Sequence, residues 1–242
     1  QISPSGHLPD TIAANVYSAP AVQNFGDFTF TNASEIDAAS ANNYVVYQEG
    51  IYVGYKYYET RYEDTVLNKG NASSSTGAFM DTSKWDYSKE VSYTFGYGLS
   101  YTNFEREINS INWDLTNKKV TLNITTKNVG KVEGKDVLQA YVQSPYTQYD
   151  IDNKLEKSSV ALSGYTKTQT LKPNESVTLD LELDMDLFAS YDYTKAKTYI
   201  LDYGTYYFGI GNGSHDALNN ILAKKGLTTE NGMDYDGDQK QA

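Results

Sequence analysis

From about Tyr101 onward, apolar and polar residues alternate in short runs. Ile111, Trp113 and Leu115 alternate, then Val120, Leu122, Ile124 and Thr126, and Asn117-Lys118-Lys119 predicts a turn between the two runs. Further β-type runs follow at Val137–Val142, Ser158–Tyr165, Val177 to Leu183, Tyr199–Leu201 and Tyr206–Ile210. Turn residues separate most of them, at Asn128-Val129-Gly130, Lys172-Pro173-Asn174-Glu175 and Asp202-Tyr203-Gly204. About seven short strands in roughly a hundred residues predict a two-sheet sandwich of the immunoglobulin or fibronectin type III kind. Helix is minor here, and Asp216 to Lys225 is the segment that reads as helical.

The first hundred residues lack this regularity. Residues 1–43 are rich in Ser, Asn, Ala and Gly with one β-like run at Phe25 to Phe30, a composition that predicts an extended arm lying on something else. Tyr44 to Tyr58 is dense enough in aromatic and β-branched residues to be a buried strand, or a strand running into a helix. Asn68 to Thr82, with its Ser73-Ser74-Ser75-Thr76 run, predicts a flexible loop.

Composition narrows the chemistry. In 242 residues, 23 are Tyr against 8 Phe and 2 Trp, so much of the expected core consists of rings whose hydroxyls need partners. A net charge of −11 argues against a polyanionic partner such as nucleic acid, since neutralising phosphates takes clustered Lys and Arg. The lack of Cys removes disulfides and thiol nucleophiles, and with His7 and His215 as the only histidines no metal site or cofactor is expected. No apolar run approaches the roughly 18 residues that span a bilayer, so no membrane partner is expected. The compartment is not legible, and the abrupt start fits a fragment or processed piece. Sequons at Asn32, Asn71, Asn123, Asn174 and Asn212 would accept glycans only after eukaryotic secretion.

Several motifs carry more specific information: Ser5-Gly6-His7-Leu8-Pro9-Asp10-Thr11, Tyr47 to Tyr58 (YQEGIYVGYKYY), and Phe95-Gly96-Tyr97-Gly98-Leu99-Ser100-Tyr101-Thr102. After them come Asn128-Val129-Gly130, Gly134 to Val142, Leu162-Ser163-Gly164-Tyr165, Leu171 to Glu175 and Gly204 to Gly211. Each is weak alone; as an ordered set from residue 5 to about 213 they closely resemble the C-terminal half of glycoside hydrolase family 3, the β-glucosidase family. The resemblance implies a mainly β chain, with residues 1–100 a remnant and arm of the family's α/β sandwich domain, 101–213 its fibronectin type III-like domain, and 214–242 an extension or linker. His7 stands where the family often has Arg or Lys, which puts any clamp made by that cation in doubt.

The resemblance also implies what is missing. The family's aspartate nucleophile lies on a barrel domain and its acid/base carboxylate lies upstream of Ser5, so this chain carries neither. A retaining glycosidase needs two carboxyl groups roughly 5–5.5 Å apart. Glu49, Glu59, Glu63 and Asp64 cluster near the aromatic motif and Asp184 and Asp186 form a second acidic pair, but sequence gives no sign that any is desolvated. They are expected to be solvated strand ends and salt bridges, with Glu49 the best placed for a supporting role. The Asp234-Tyr235-Asp236-Gly237-Asp238 tail has the oxygen-rich spacing of a calcium loop without the closing Glu, and is expected to be solvated.

These readings predict a non-catalytic part of a family 3 enzyme, with no catalytic, cofactor or metal residues of its own. Its expected partners are the barrel and α/β domains of the same polypeptide or a companion chain, and a carbohydrate substrate in the whole enzyme. β-Glucosidase is the leading activity, with β-xylosidase and β-N-acetylhexosaminidase as alternatives inside the class. The rival from another class is a carbohydrate-binding or adhesion module.

Overall fold

The computed structural model describes residues 2–23, 25–26, 28–31, 43–47, 49–68 and 85–242. The predicted loop beyond Asn68, the sequons Asn32 and Asn71, and Gln48 of the aromatic motif lie outside them. The described elements are β1 (Ile12–Ala13), α1 (Pro20–Gln23), β2 (Phe28–Thr29), β3 (Asn43–Tyr44), α2 (Tyr55–Leu67), α3 (Tyr87–Glu90) and β4 (Val91–Tyr93). They continue with β5 (Phe104–Asp114), β6 (Lys119–Asn128), β7 (Val137–Gln143), α4 (Gln148–Asn153), β8 (Ala161–Lys167) and β9 (Ser176–Asp184). The last are β10 (Ser190–Asp192), β11 (Thr198–Ile200), β12 (Tyr207–Gly211) and α5 (Ser214–Lys224).

Two antiparallel three-stranded sheets, β5-β6-β9 and β12-β7-β8, form the sandwich. Val120, Leu122 and Ile124 of β6 and Leu181 and Leu183 of β9 meet Leu138, Ala140 and Val142 of β7 and Phe208 and Ile210 of β12. Each large side chain buried here contributes roughly 1.5–3 kcal/mol. The alternation in β6 and β9 is therefore the ordinary pattern of a strand with one wet face. β5 needs a correction, because its parity changes midway. A bulge between Ile108 and Ser110 lets Ile108 share a face with Ile124 while Ile111 and Trp113 pair with Leu122 and Val120. Strand β5 ends at Asp114, and Leu115, expected to continue it, is an exposed turn residue.

β7 is buried on both faces. Its second face, with Tyr141, looks onto a separate core built from Tyr52, Tyr57, Tyr58, Tyr62 and Val66 of the aromatic segment and Ala217, Leu218, Ile221 and Leu222 of α5. Tyr44 to Tyr58 is thus not a buried strand. It follows the other expectation, a strand running into a helix: residues 43–47 are exposed, β3 is two residues long, and the buried side chains are Glu49 and Tyr52 ahead of α2 and Tyr57 and Tyr58 within it. Gly54 opens α2 at φ 56°, and Asn68 ends it in the left-handed conformation at φ 51°. The helix expected at Asp216 to Lys225 is α5, whereas α4 and β10 were not foreseen.

Candidate functional site

The seam between α2, α5 and the sandwich collects Glu59, Glu63 and Asp234 of the carboxylates that the sequence offers as candidates. Glu59 and Glu63 are neither solvated nor at strand ends. They sit one helical turn apart on α2 and are fully buried. Glu59 Oε1 accepts hydrogen bonds from the Tyr87 hydroxyl (2.7 Å) and Ser214 Oγ (2.9 Å), and its Oε2 faces His215 Nδ1 at 2.8 Å. On the far side of the imidazole, Nε2 lies 2.9 Å from Asp234 Oδ2. Asp234 Oδ1 accepts from the Tyr62 hydroxyl at 2.6 Å, and that hydroxyl accepts from the Asp234 amide at 3.0 Å. The tail keeps Asp234, Tyr235, Asp236 and Asp238 exposed, as expected, yet the Asp234 carboxylate pins it here, and Met233 beside it is buried.

The imidazole faces a carboxylate at each nitrogen, so both nitrogens carry protons. Burial alone would lower the pKa of His215. The Glu59 charge and the hydrogen bonds to Asp234 and Glu59 outweigh it and push the value up to about 9. Burial likewise raises Asp234, but the His215 hydrogen bond and charge leave it below the usual carboxylate range. The rings of Tyr87, stacked 3.9 Å from the imidazole, and of Tyr62 and Tyr235, edge-on, wall the site.

Glu63 ties the second half of α2 to the sandwich. Its oxygens accept from Gln143 Nε2 of β7 at 3.1 Å and Glu63 Oε1 accepts from Lys225 Nζ at 3.0 Å. Two further α2 side chains accept from sandwich amides: Thr60 Oγ1 from Ser159 (2.9 Å) and the Tyr55 hydroxyl from Leu162 (3.0 Å). Glu49 is also buried, while Asp184 and Asp186 stay exposed near Lys119 and Lys118, as the solvated reading expects. Among the described residues no group of three or more His, Asp or Glu side chains is arranged to hold a metal ion.

Both glycine motifs do structural work beside this seam. Gly96, at φ 80°, turns the chain so that its carbonyl accepts from His7 Nδ1 (2.6 Å) and Gln139 Nε2 (3.0 Å). His7 therefore clamps the arm to the backbone at Gly96. At Gly98 a Cβ would overlap the Gly6 carbonyl oxygen and come 2.8 Å from His7 Nδ1. Gly98→Val in the whole protein should then cost about 1–3 kcal/mol by forcing the arm away. Urea melts should show that loss, and substrate affinity of the folded fraction should stay unchanged; an unaltered melt with weakened affinity would place the segment in a substrate cleft.

What the arrangement can do chemically is hold elements together. Both oxygens of Glu59 and of Glu63 are engaged by neighbouring groups in a closed interior, so neither can approach a sugar. The signal for this role was absent from the local sequence, because Glu59 meets its partners 155 and 156 positions away.

The chain is similar to known proteins along most of its length. Residues 136–214 match the fibronectin type III-like domain family. The chain is 31% identical over 233 residues to beta-glucosidase A of Butyrivibrio fibrisolvens, an alignment covering 89% of this chain and 23% of that protein. Among solved structures, a beta-glucosidase from Paenibacillus barengoltzii superposes with a TM-score of 0.63 at 30% identity, covering 88% of this chain and 19% of that one. The GH3 beta-glucosidase of Bifidobacterium adolescentis gives a TM-score of 0.61 at 25% identity over 88% of this chain and 24% of its own. The motif resemblance to family 3 is thus matched along most of the chain, which spans less than a quarter of each of these relatives.

Proposed function

We propose that this chain is the C-terminal, non-catalytic portion of a family 3 glycoside hydrolase, and that the whole enzyme is a β-glucosidase releasing terminal non-reducing β-D-glucosyl residues. The observation that carries the reading is the coverage. Nearly nine-tenths of the chain aligns with beta-glucosidases, yet it amounts to 19–24% of their lengths. In that whole enzyme, two carboxylates outside this chain would carry out double displacement, one attacking the anomeric carbon and the other protonating the leaving oxygen. The role of this chain is support: residues 1–100 complete an α/β domain, residues 101–213 form the sandwich that props it, and residues 214–242 extend over the seam.

The surface chemistry supports a large missing neighbour. Val45, Val46, Tyr47, Val53 and Tyr93 are exposed in the first hundred residues, and among the described residues β1-β4 and β2-β3 are two-stranded pairs. Such pairs are marginal unless they join a larger sheet or pack on other elements. An interdomain surface of this kind is covered by the α/β and barrel domains of the same polypeptide or a companion chain.

The test is hydrolysis of an aryl β-glucoside by the parent polypeptide and by the 242-residue chain side by side. Turnover is expected from the parent and none above buffer from the chain alone. Hydrolysis by the purified chain would overturn the assignment, and binding of glucans without turnover by the parent would favour the carbohydrate-binding module instead.

A further inference from the structure

We propose that residues 227–238 form a strap over the seam between α2 and α5, fastened by a doubly protonated His215 and released when that imidazole loses a proton. The strap is built to lie down. A 3₁₀ turn at Thr229–Asn231 is closed by a capping box from Thr228, and Gly232 follows at φ 97°. Met233 is then buried in the seam core, with Leu227 packed against it. Asp236 Oδ1 accepts from the Thr229 amide at 2.8 Å, closing the strap on itself. At its end the Asp238 amide donates to Asn220 Oδ1 of α5 at 2.7 Å. Gly237 passes so close to the Asn219 carbonyl that a Cβ would overlap it.

Between those ends the one charged tie among the described residues is His215. Every element packed on it offers a titratable group: Glu59 and Tyr62 from α2, Tyr87 from α3, and Asp234 and Tyr235 from the strap. Asp216 on its own helix lies 3.5 Å from the Tyr235 hydroxyl. Burial raises the hydroxyl pKa values of Tyr62, Tyr87 and Tyr235 beyond any ordinary range, so these phenols stay protonated while the imidazole titrates. A neutral imidazole can donate to only one of its two carboxylates. Glu59, which also accepts from Tyr87 and Ser214, is fully enclosed, whereas the Asp234 side chain is about a third exposed. Deprotonation therefore leaves Asp234 facing a lone pair, and the strap is the partner free to move.

The direction with pH follows from the raised value. The His215 contribution is complete below about 6.5, the ordinary histidine pKa, and is lost as pH rises through about 9. Asp234, held low, adds a contribution that is present above its ordinary pKa and lost as pH falls through its folded value. The strap is fastened between these limits.

The experiment uses the 242-residue chain, labelled with ¹⁵N, with the two imidazole signals assigned by His7→Gln. Amide hydrogen exchange is followed from pH 6 to 10 and corrected for the intrinsic rate. The expected result is a His215 midpoint near 9 and a loss of protection of about tenfold or more at residues 230–238 across that midpoint, with β6 and β7 unaffected. Asp234→Asn should lower the midpoint and loosen the strap already at pH 7, while Tyr62→Phe, which keeps both carboxylates, should leave the midpoint high. A midpoint at or below 6.5, or strap protection that stays constant while His215 titrates, would overturn the proposal.

Discussion

Arg106→Met should lower the stability of the protein by about 3–5 kcal/mol, the usual cost of stripping one partner from a buried ion pair. Arg106 and Asp136 are both buried inside the sandwich. The guanidinium binds the carboxylate side-on, with Nε donating to Oδ2 at 2.8 Å and Nη2 to Oδ1 at 2.6 Å. Thr126 Oγ1 adds a third bond to Oδ2 at 2.7 Å, and Nη2 also reaches Asn212 Oδ1 at 2.8 Å. Without Arg106 the carboxylate keeps its burial and loses its counter-charge. Because hydrophobic replacements of a whole pair are often neutral, Arg106→Met with Asp136→Leu should recover most of the loss. Urea melts of the two single variants and the double variant give the comparison; a single Arg106→Met variant that loses under 1 kcal/mol would refute this account of the pair.

Gly96→Val should be nearly as damaging, at about 3–5 kcal/mol, by two additive routes. A β-branched residue at φ 80° is strained whatever surrounds it. The space is also occupied, since a Cβ would overlap Gln139 Oε1 and come 2.9 Å from Gly213 Cα and 2.9 Å from the Tyr141 hydroxyl. The turn at Gly96 joins the N-terminal arm, the β7 face and the entry to α5, so its displacement should loosen all three. Gly96→Ala, which carries the φ penalty with a smaller side chain, should fall between. Because the Cβ that meets these atoms is present in both variants, a parent-like melt for either would refute this account of the turn.

The sandwich was legible because its strands obey a local rule. β6 and β9 alternate, and the turns are written in their residues: Lys118 at φ 54° follows β5, and Asn174 at φ 65° precedes β9. Asn128-Val129-Gly130 proved more than a turn. The buried Asn128 accepts from Thr102 Oγ1 (2.6 Å) and the Gly130 amide (3.0 Å) and donates to the Val132 and Leu171 carbonyls. Such a network fixes the chain where β6 ends, a role that no strand pattern marks.

The seam was not legible, for a physical reason. α2 is wrapped on most sides by tyrosines and acidic residues, so its apolar stripe is blurred, and the partners that satisfy Glu59 and Glu63 lie on α5, β7 and residue 225. Sequence distance hides that compensation. The same remoteness concealed the role of Asp234, which Asp236 and Asp238 follow closely in sequence and whose neighbour in space is a cation. The β5 bulge escaped notice because one inserted residue reverses parity without changing composition.

Strand β12 lies at the margin of its sheet, paired among the described residues with β7 alone, and α5 runs alongside it. Asn220 Nδ2 donates to the Ile210 carbonyl at 2.8 Å, occupying an acceptor that another strand could otherwise use. A margin left bare invites self-association through intermolecular sheet extension. Cutting the protein after Gly213 keeps every strand of the sandwich but removes this cover. The resulting piece should be prone to oligomerise at high concentration, so the shortest segment that folds and the shortest that remains monomeric end at different residues.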